Sequence, residues 1–324
     1  MSELYPLLLE PQFKTRPWGT RDLRPVYSRP VVGEPIGEAW LTGEDCRVTN
    51  GPLAGASLAE LSPRFGADLI GTAAPQARRF PLLIKFLFPR EKLSVQVHPD
   101  DECARGSGLP CGKTECWYVL AAEPGAYVSL GVKPGTTRAD MERAIAEARA
   151  EELLNRVDLS PGDLIYVDAG TVHAIGPGSV LVETQQNSDT TYRLYDYGRG
   201  RELHVELGLA AMKPQTRAGK AKRAAQSNGL VTLVNSPCFR VDKYTLSGAR
   251  EIGGSSGRSV QIVVALEGCA VISAPGAPAA SVARGEAAVI PASVPKVSVK
   301  PQWQAELLVA SLPEAGAVHP EITQ

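Results

Sequence analysis

Apolar positions along the chain gather in short runs rather than long periodic stretches. Leu82–Leu87, Leu93–Val97, Cys116–Leu120, Leu164–Val167, Val180–Glu183, Val231–Val234, Ser259–Leu266, Ala287–Ile290 and Glu306–Ala310 each have the length and residue types of a β-strand. Between them stand turn formers: 31 Gly and 26 Pro among 324 residues, too many for a fold of long helices. One segment differs. In Arg138–Val157, Met141, Ile145, Ala148, Leu153 and Leu154 follow helical spacing on an otherwise charged stretch, and Thr136 or Thr137 can cap it. The pattern predicts a mainly β protein of sandwiches or barrels with a few short helices.

Composition narrows the partners. Hydrophobic residues at 44% and charged residues at 21% supply a buried core and exclude global disorder. A net charge of −1 offers no electrostatic case for nucleic acid or an anionic membrane. No stretch reaches the ~20 apolar residues that span a bilayer. The N-terminal apolar run is short and follows an acidic third residue, unlike a secretory signal. Six cysteines without a CxxC pair then read as reduced thiols, and the expected location is cytoplasmic.

Residues 213–229, KPQTRAGKAKRAAQSNG, carry five basic residues and no acid, and are expected to be a solvated linker. A weak repeat flanks it: PGDLIYVDAGTVH (161–173) and RGEAAVIPASVPK (284–296) share a Gly, an acid, a four-residue apolar strand and a tight turn. This spacing is similar to the second motif of cupin jelly rolls. The resemblance implies two cupin-type jelly-roll β-sandwich domains: a catalytic one at 1–212 and a degenerate one at 230–324, where Lys296 stands in place of His173. The glycine-rich IGGSSGR at 252–258 reads as a turn.

Four polar blocks carry the candidate chemistry. In SVQVHPDD, Gln96 and His98 lie two residues apart on a strand, so both leave one face while Val95 and Val97 leave the other. Two buried polar side chains need a partner, either each other or a metal ion. GKTECWY places Glu115 at the entrance of an apolar strand, and His173 follows the strand Leu164–Val167. Gln, His, Glu and His from separate β-segments form an N/O donor set suited to zinc, with Mn, Fe, Co or Ni as alternatives. Without a Cys ligand, such a site is expected to keep an open position for substrate or water. VETQQNSDTTYRLYDYGR adds Glu183, Asp189, Arg193 and Asp196, more polar than a barrel wall needs.

In this order and spacing, SVQVHPDD, GKTECWY, AGTVHAIGPG and VETQQNSDTTYRLYDYGR resemble type I mannose-6-phosphate isomerases, most closely the short bacterial branch. The resemblance is strong over about residues 80–200, weaker over RPWGTRDL and GEAWLTG, and faint beyond 225. It implies an aldose–ketose isomerase with one Zn²⁺ per chain, acting on a sugar phosphate. Gln96, His98, Glu115 and His173 would be the metal ligands. Arg193 matches the family's active-site arginine, and Lys113 and Glu183 match residues around the sugar. Glu183 is the first choice for the base and Lys113 for an acid or charge partner. The alternative is a metal-containing sugar-phosphate binding module without turnover. No GxGxxG or Walker-type segment points to a nucleotide cofactor.

Overall fold

The computed structural model describes residues 3–28, 30–74, 78–222, 228–253, 258–294, 296–313 and 316–323. The chain is mainly β, as its short apolar runs predict, with three antiparallel sheets stacked in layers. The middle sheet runs in the order Gln12–Thr20, Ile36–Trp40, Leu82–Leu87, Ser179–Gln186, Glu115–Ala122, Leu164–Val167, Gly219–Ala221 and Ile322–Thr323. On one side lies a five-stranded sheet, Tyr192–Tyr195, Val95–Val97, His173–Ile175, Tyr127–Val132 and Leu154–Asp158. On the other lies a sheet built mostly from residues after 230.

Strand alternation sends each sheet's side chains in two directions. Along Leu82–Leu87, Leu82, Ile84 and Phe86 pack toward the C-terminal sheet, against Ile262, Val264 and Leu308. Leu87 points the other way and joins Trp117, Val128 and Ile175 between the middle and five-stranded sheets. Lys85 shares that second face. Val95 and Val97 are wholly buried beneath the helices Arg138–Ala146 and Val205–Ala211, with Met141, Leu194 and Leu209. Burial of each such valine contributes ~1.5–3 kcal/mol.

The helix expected over Arg138–Val157 is shorter. Thr137 caps it with a capping box to Asp140, and it ends at Ala146. Ala148 then turns left-handed at φ 59°, and Leu154–Asp158 becomes a strand against Tyr127–Val132. Leu154 and Val157 pack on opposite faces of it, toward the helices and toward the sandwich interior. Sheet pairing overrides the helical propensity of this charged stretch.

The basic segment 213–229 is also not a free linker throughout. Gly219–Ala221 is a strand that pairs with Leu164–Val167 on one side and Ile322–Thr323 on the other; residues 223–227 lie outside the described ones. The chain ends cross over as well: Leu7–Leu9 joins the C-terminal sheet beside Ala287–Ile290, while Ile322–Thr323 returns to the middle sheet. The two repeat segments fall on like elements. Leu164–Val167 is followed by a strand starting at His173, and Ala287–Ile290 by one starting at Lys296. Of the IGGSSGR turn, residues 254–257 lie outside the described ones. All six cysteines are free thiols. Among the described residues, no helix is long and apolar enough to cross a membrane.

Candidate metal centre and active-site pocket

The five-stranded sheet and the middle sheet enclose a pocket of about 400 Å³. Three adjacent strands form one wall. Gln96 stands opposite His173 in one pairing and opposite Arg193 in the next, so the three side chains form a row. The middle sheet supplies the facing wall, where Lys85 stands opposite Glu183 and Glu115 opposite Gln185. His98, one residue past the end of Val95–Val97, is turned into the same space.

His98, Glu115 and His173 are almost wholly buried, and one donor atom from each lies within 4.8 Å of the other two. His173 Nε2 is 3.2 Å from Glu115 Oε1, and His98 Nε2 is 3.6 Å from Glu115 Oε2. The opposite nitrogens fix the tautomers. His98 Nδ1 donates to the Thr190 carbonyl and His173 Nδ1 to the Thr171 carbonyl, both at 2.9 Å. A carbonyl only accepts, so each neutral ring carries its proton on Nδ1 and turns the Nε2 lone pair inward. Burial, and then Lys113, lowers His98 to about 3, and burial also lowers His173, so both rings are neutral near pH 7. Burial works to raise the Glu115 carboxyl, but Lys113 and His98 outweigh it and hold it well below the usual carboxylate range.

This donor set fits a divalent cation. Two imidazole lone pairs and a carboxylate converge in a dry space, and Glu115 Oε2 has no well-aligned hydrogen bond although Lys113 Nζ is 3.0 Å away. Gln96 stands beside the three. Its Nε2 lies 3.1 Å from His173 Nε2, and its Oε1 accepts from Ser94 Oγ. The hydroxyl can donate or accept, so a turn of the amide by 180° presents Oε1 to the same space at little cost.

The other expected residues line the pocket too. Lys113 Nζ reaches His98 Nε2 at 3.1 Å and lies 3.7 Å from Glu183 Oε1. Burial pushes the Glu183 carboxyl up, and the nearby Lys85 and Lys113 oppose that by favouring its ionised form. Arg193 Nη1 donates to the Glu202 carbonyl, while its Nε is buried without an acceptor.

Several pocket residues escaped the sequence reading. Lys85 is buried 3.5 Å from Glu183 and is raised in pKa by Glu183 and Glu38, which together outweigh the opposing effect of burial. Its signal was present: a single Lys inside LLIKFL, a run otherwise entirely apolar. Glu38 takes Arg16 as a two-pronged partner and also accepts from the Trp40 indole. Arg201 lines the pocket mouth, and nothing in its local sequence marks it.

Known proteins share both the sequence and this fold. A family model described as phosphomannose isomerase type I, catalytic domain, matches residues 7–134. The probable mannose-6-phosphate isomerase GmuF of Bacillus subtilis (strain 168) is 36% identical over 259 residues, covering 75% of this chain and 81% of its own. The mannose-6-phosphate isomerase of Streptococcus mutans is 37% identical over 256 residues, covering 75% of this chain and 80% of its own. The crystal structure of the mannose 6-phosphate isomerase from Bacillus subtilis superimposes with a TM-score of 0.83 at 31% identity, over 94% of this chain and 99% of that one. The chain belongs to the type I phosphomannose isomerase family.

Proposed function

We propose that this protein interconverts mannose 6-phosphate and fructose 6-phosphate with one zinc ion held by Gln96, His98, Glu115 and His173. The observation that carries the reading is the convergence of two tautomer-locked histidines and a buried carboxylate beside two lysines and Glu183 in one pocket. The relatives' names supply the substrate pair. In this reading residues 1–212 carry the chemistry and residues 230–324, a second cupin-like unit, support it.

Isomerisation moves a proton between C1 and C2 of the sugar through a cis-enediol, so it needs a base, an acid and donors for the developing enediolate. When bound, the metal supplies Lewis acidity toward the substrate oxygens. In this reading Glu183 takes and returns the proton, with Lys85 and Lys113 beside it favouring the ionised carboxylate that a base requires. Lys113 balances charge beside it and can donate to a sugar oxygen. Arg193 offers a permanently charged donor fork at the pocket mouth. The apolar layer of Trp117, Leu87 and Ile175 behind these groups keeps water from the face where charge develops.

A coupled assay for fructose 6-phosphate formation, run before and after chelation and again with zinc restored, tests both parts. Activity lost and regained supports the isomerase and its metal. Activity unchanged after proven metal removal would sink the zinc site and keep the reaction. A folded, zinc-loaded protein without turnover would sink the reaction and favour a sugar-phosphate binding module.

A further inference from the structure

A second cleft, of about 700 Å³, lies behind the metal donors. Lys113 and Glu115 line the active-site pocket, whereas Thr114 between them lines the cleft, as the alternation of an extended chain requires. Asp168 and Ala169 line it too. They begin the turn 168–171, which joins the strand Leu164–Val167 to the strand that opens with His173. The Thr171 N–H donates to the Asp168 carbonyl at 3.1 Å, and Gly170 has φ 91°, the left-handed third position that such a turn reserves for glycine.

This turn is bonded to every segment that carries a converging donor. The Gly170 N–H donates to the His98 carbonyl at 2.8 Å. The Ala169 N–H donates to Thr114 Oγ1 at 3.3 Å, one residue from Glu115. The Thr171 carbonyl accepts from His173 Nδ1 at 2.9 Å. Pairing between Glu115–Ala122 and Leu164–Val167 ends with Glu115 opposite Val167, so the Thr114 hydroxyl carries the connection one step further. Thr114 is itself fixed: its N–H donates to Gln186 Oε1 at 2.9 Å, and its carbonyl accepts from the Gln186 N–H at 3.2 Å. From outside, the Lys213 N–H donates to the Gly170 carbonyl at 2.9 Å, while Lys213 Nζ lies 2.7 Å from Asp100 Oδ2.

We infer that the turn 168–171 is the common anchor of His98, Glu115 and His173, and that Thr114 is a positioning residue, holding Glu115 in register with His173 through its hydroxyl. Metal–donor distances tolerate shifts of only about 0.2 Å, and donors on three separate segments keep that precision only if the segments are joined. A buried threonine suits the task. Its β-branched side chain is stiff, and its hydroxyl accepts from the turn without placing a charge behind the metal.

This positioning role presupposes the zinc site proposed above, and separate readouts distinguish the two claims. Zinc Kd is measured on the full chain by competition with a chromophoric chelator, alongside the visible spectrum of the cobalt-loaded protein and urea unfolding of the metal-free protein. Thr114→Val keeps the shape and loses the hydroxyl. Its zinc Kd should rise roughly tenfold, the lower end of what outer partners of metal ligands contribute, and its cobalt bands should shift. Thr114→Ser should bring both back toward wild type. If Thr114→Val does not fold by circular dichroism, Thr114→Ala replaces it with the same expectation. A folded variant with lowered urea stability but unchanged zinc Kd and cobalt bands would make Thr114 merely structural and overturn the assignment, leaving the zinc site standing. Equal losses in Thr114→Val and Thr114→Ser would overturn it as well, since the hydroxyl would not be the cause. A wild type that takes up no zinc would sink the zinc site itself, and this role with it.

Discussion

His173 and Gln96 are direct partners across two antiparallel strands, with their Nε2 atoms 3.1 Å apart. They lie 77 residues apart in sequence, and no local preference could bring them together. Sheet register does, and it sets Arg193 on the far side of Gln96 by the same rule.

His173→Ala removes one of three converging donors. Zinc stoichiometry and isomerase activity should fall together, with metal content read by atomic absorption after gel filtration. Near-normal zinc in the variant would refute His173 as a ligand.

Arg193→Ala should leave zinc content intact and lower kcat by something like 10²–10³, the scale of losing one transition-state donor. Steady-state kinetics decide its role. A rise in KM with kcat unchanged would move Arg193 to phosphate binding alone.

Lys85 is a buried cation shared by Glu183 and Glu38. Lys85→Met should destabilise the fold by ~3–5 kcal/mol, because it strands charge in a dry interior. Urea unfolding of the two proteins measures this, and a loss below ~1 kcal/mol would show that the carboxyls do not depend on it.

Glu38 carries an acid-sensitive part of stability. Burial opposes its ionisation, yet Lys85 and Arg16 bring it from 4.5 down to about 2. A lowered folded value means stabilisation that is complete above pH ~4.5 and is lost as the pH falls toward 2, amounting to about 3 kcal/mol. The gap in stability between wild type and Glu38→Gln should therefore close over that window; a gap independent of pH would remove Glu38 from the account.

Lys296 takes the position of His173 in the second repeat, but it is exposed and pairs with Glu251 at 3.2 Å. Lys296→Ala should change neither zinc content nor turnover. A drop in either would place a functional group in the C-terminal sheet.

The sequence by itself determined the β character, since runs such as Leu82–Leu87 and Ala287–Ile290 are bounded by turn formers and are strands with those same ends. It also singled out the polar blocks: Gln96 and His98 set two polar side chains on one face of an otherwise apolar strand, at a cost that only a partner offsets. What it misjudged depends on pairing. The stretch after Ala146 has helical propensity and becomes a strand because Tyr127–Val132 offers it an edge. Gly219–Ala221 looks like a linker and is a strand for the same reason. Only the tertiary structure decided which charges meet. Lys85 reads as one polar residue in an apolar run until the register sets it opposite Glu183. Arg201 reads as one basic residue among several until the loop closes at Arg193 and His204 and Asp196 fixes its fork at the pocket mouth. Local pattern records the cost of burying a residue, whereas the energy of a charge depends on neighbours that the chain brings close only when its sheets are stacked.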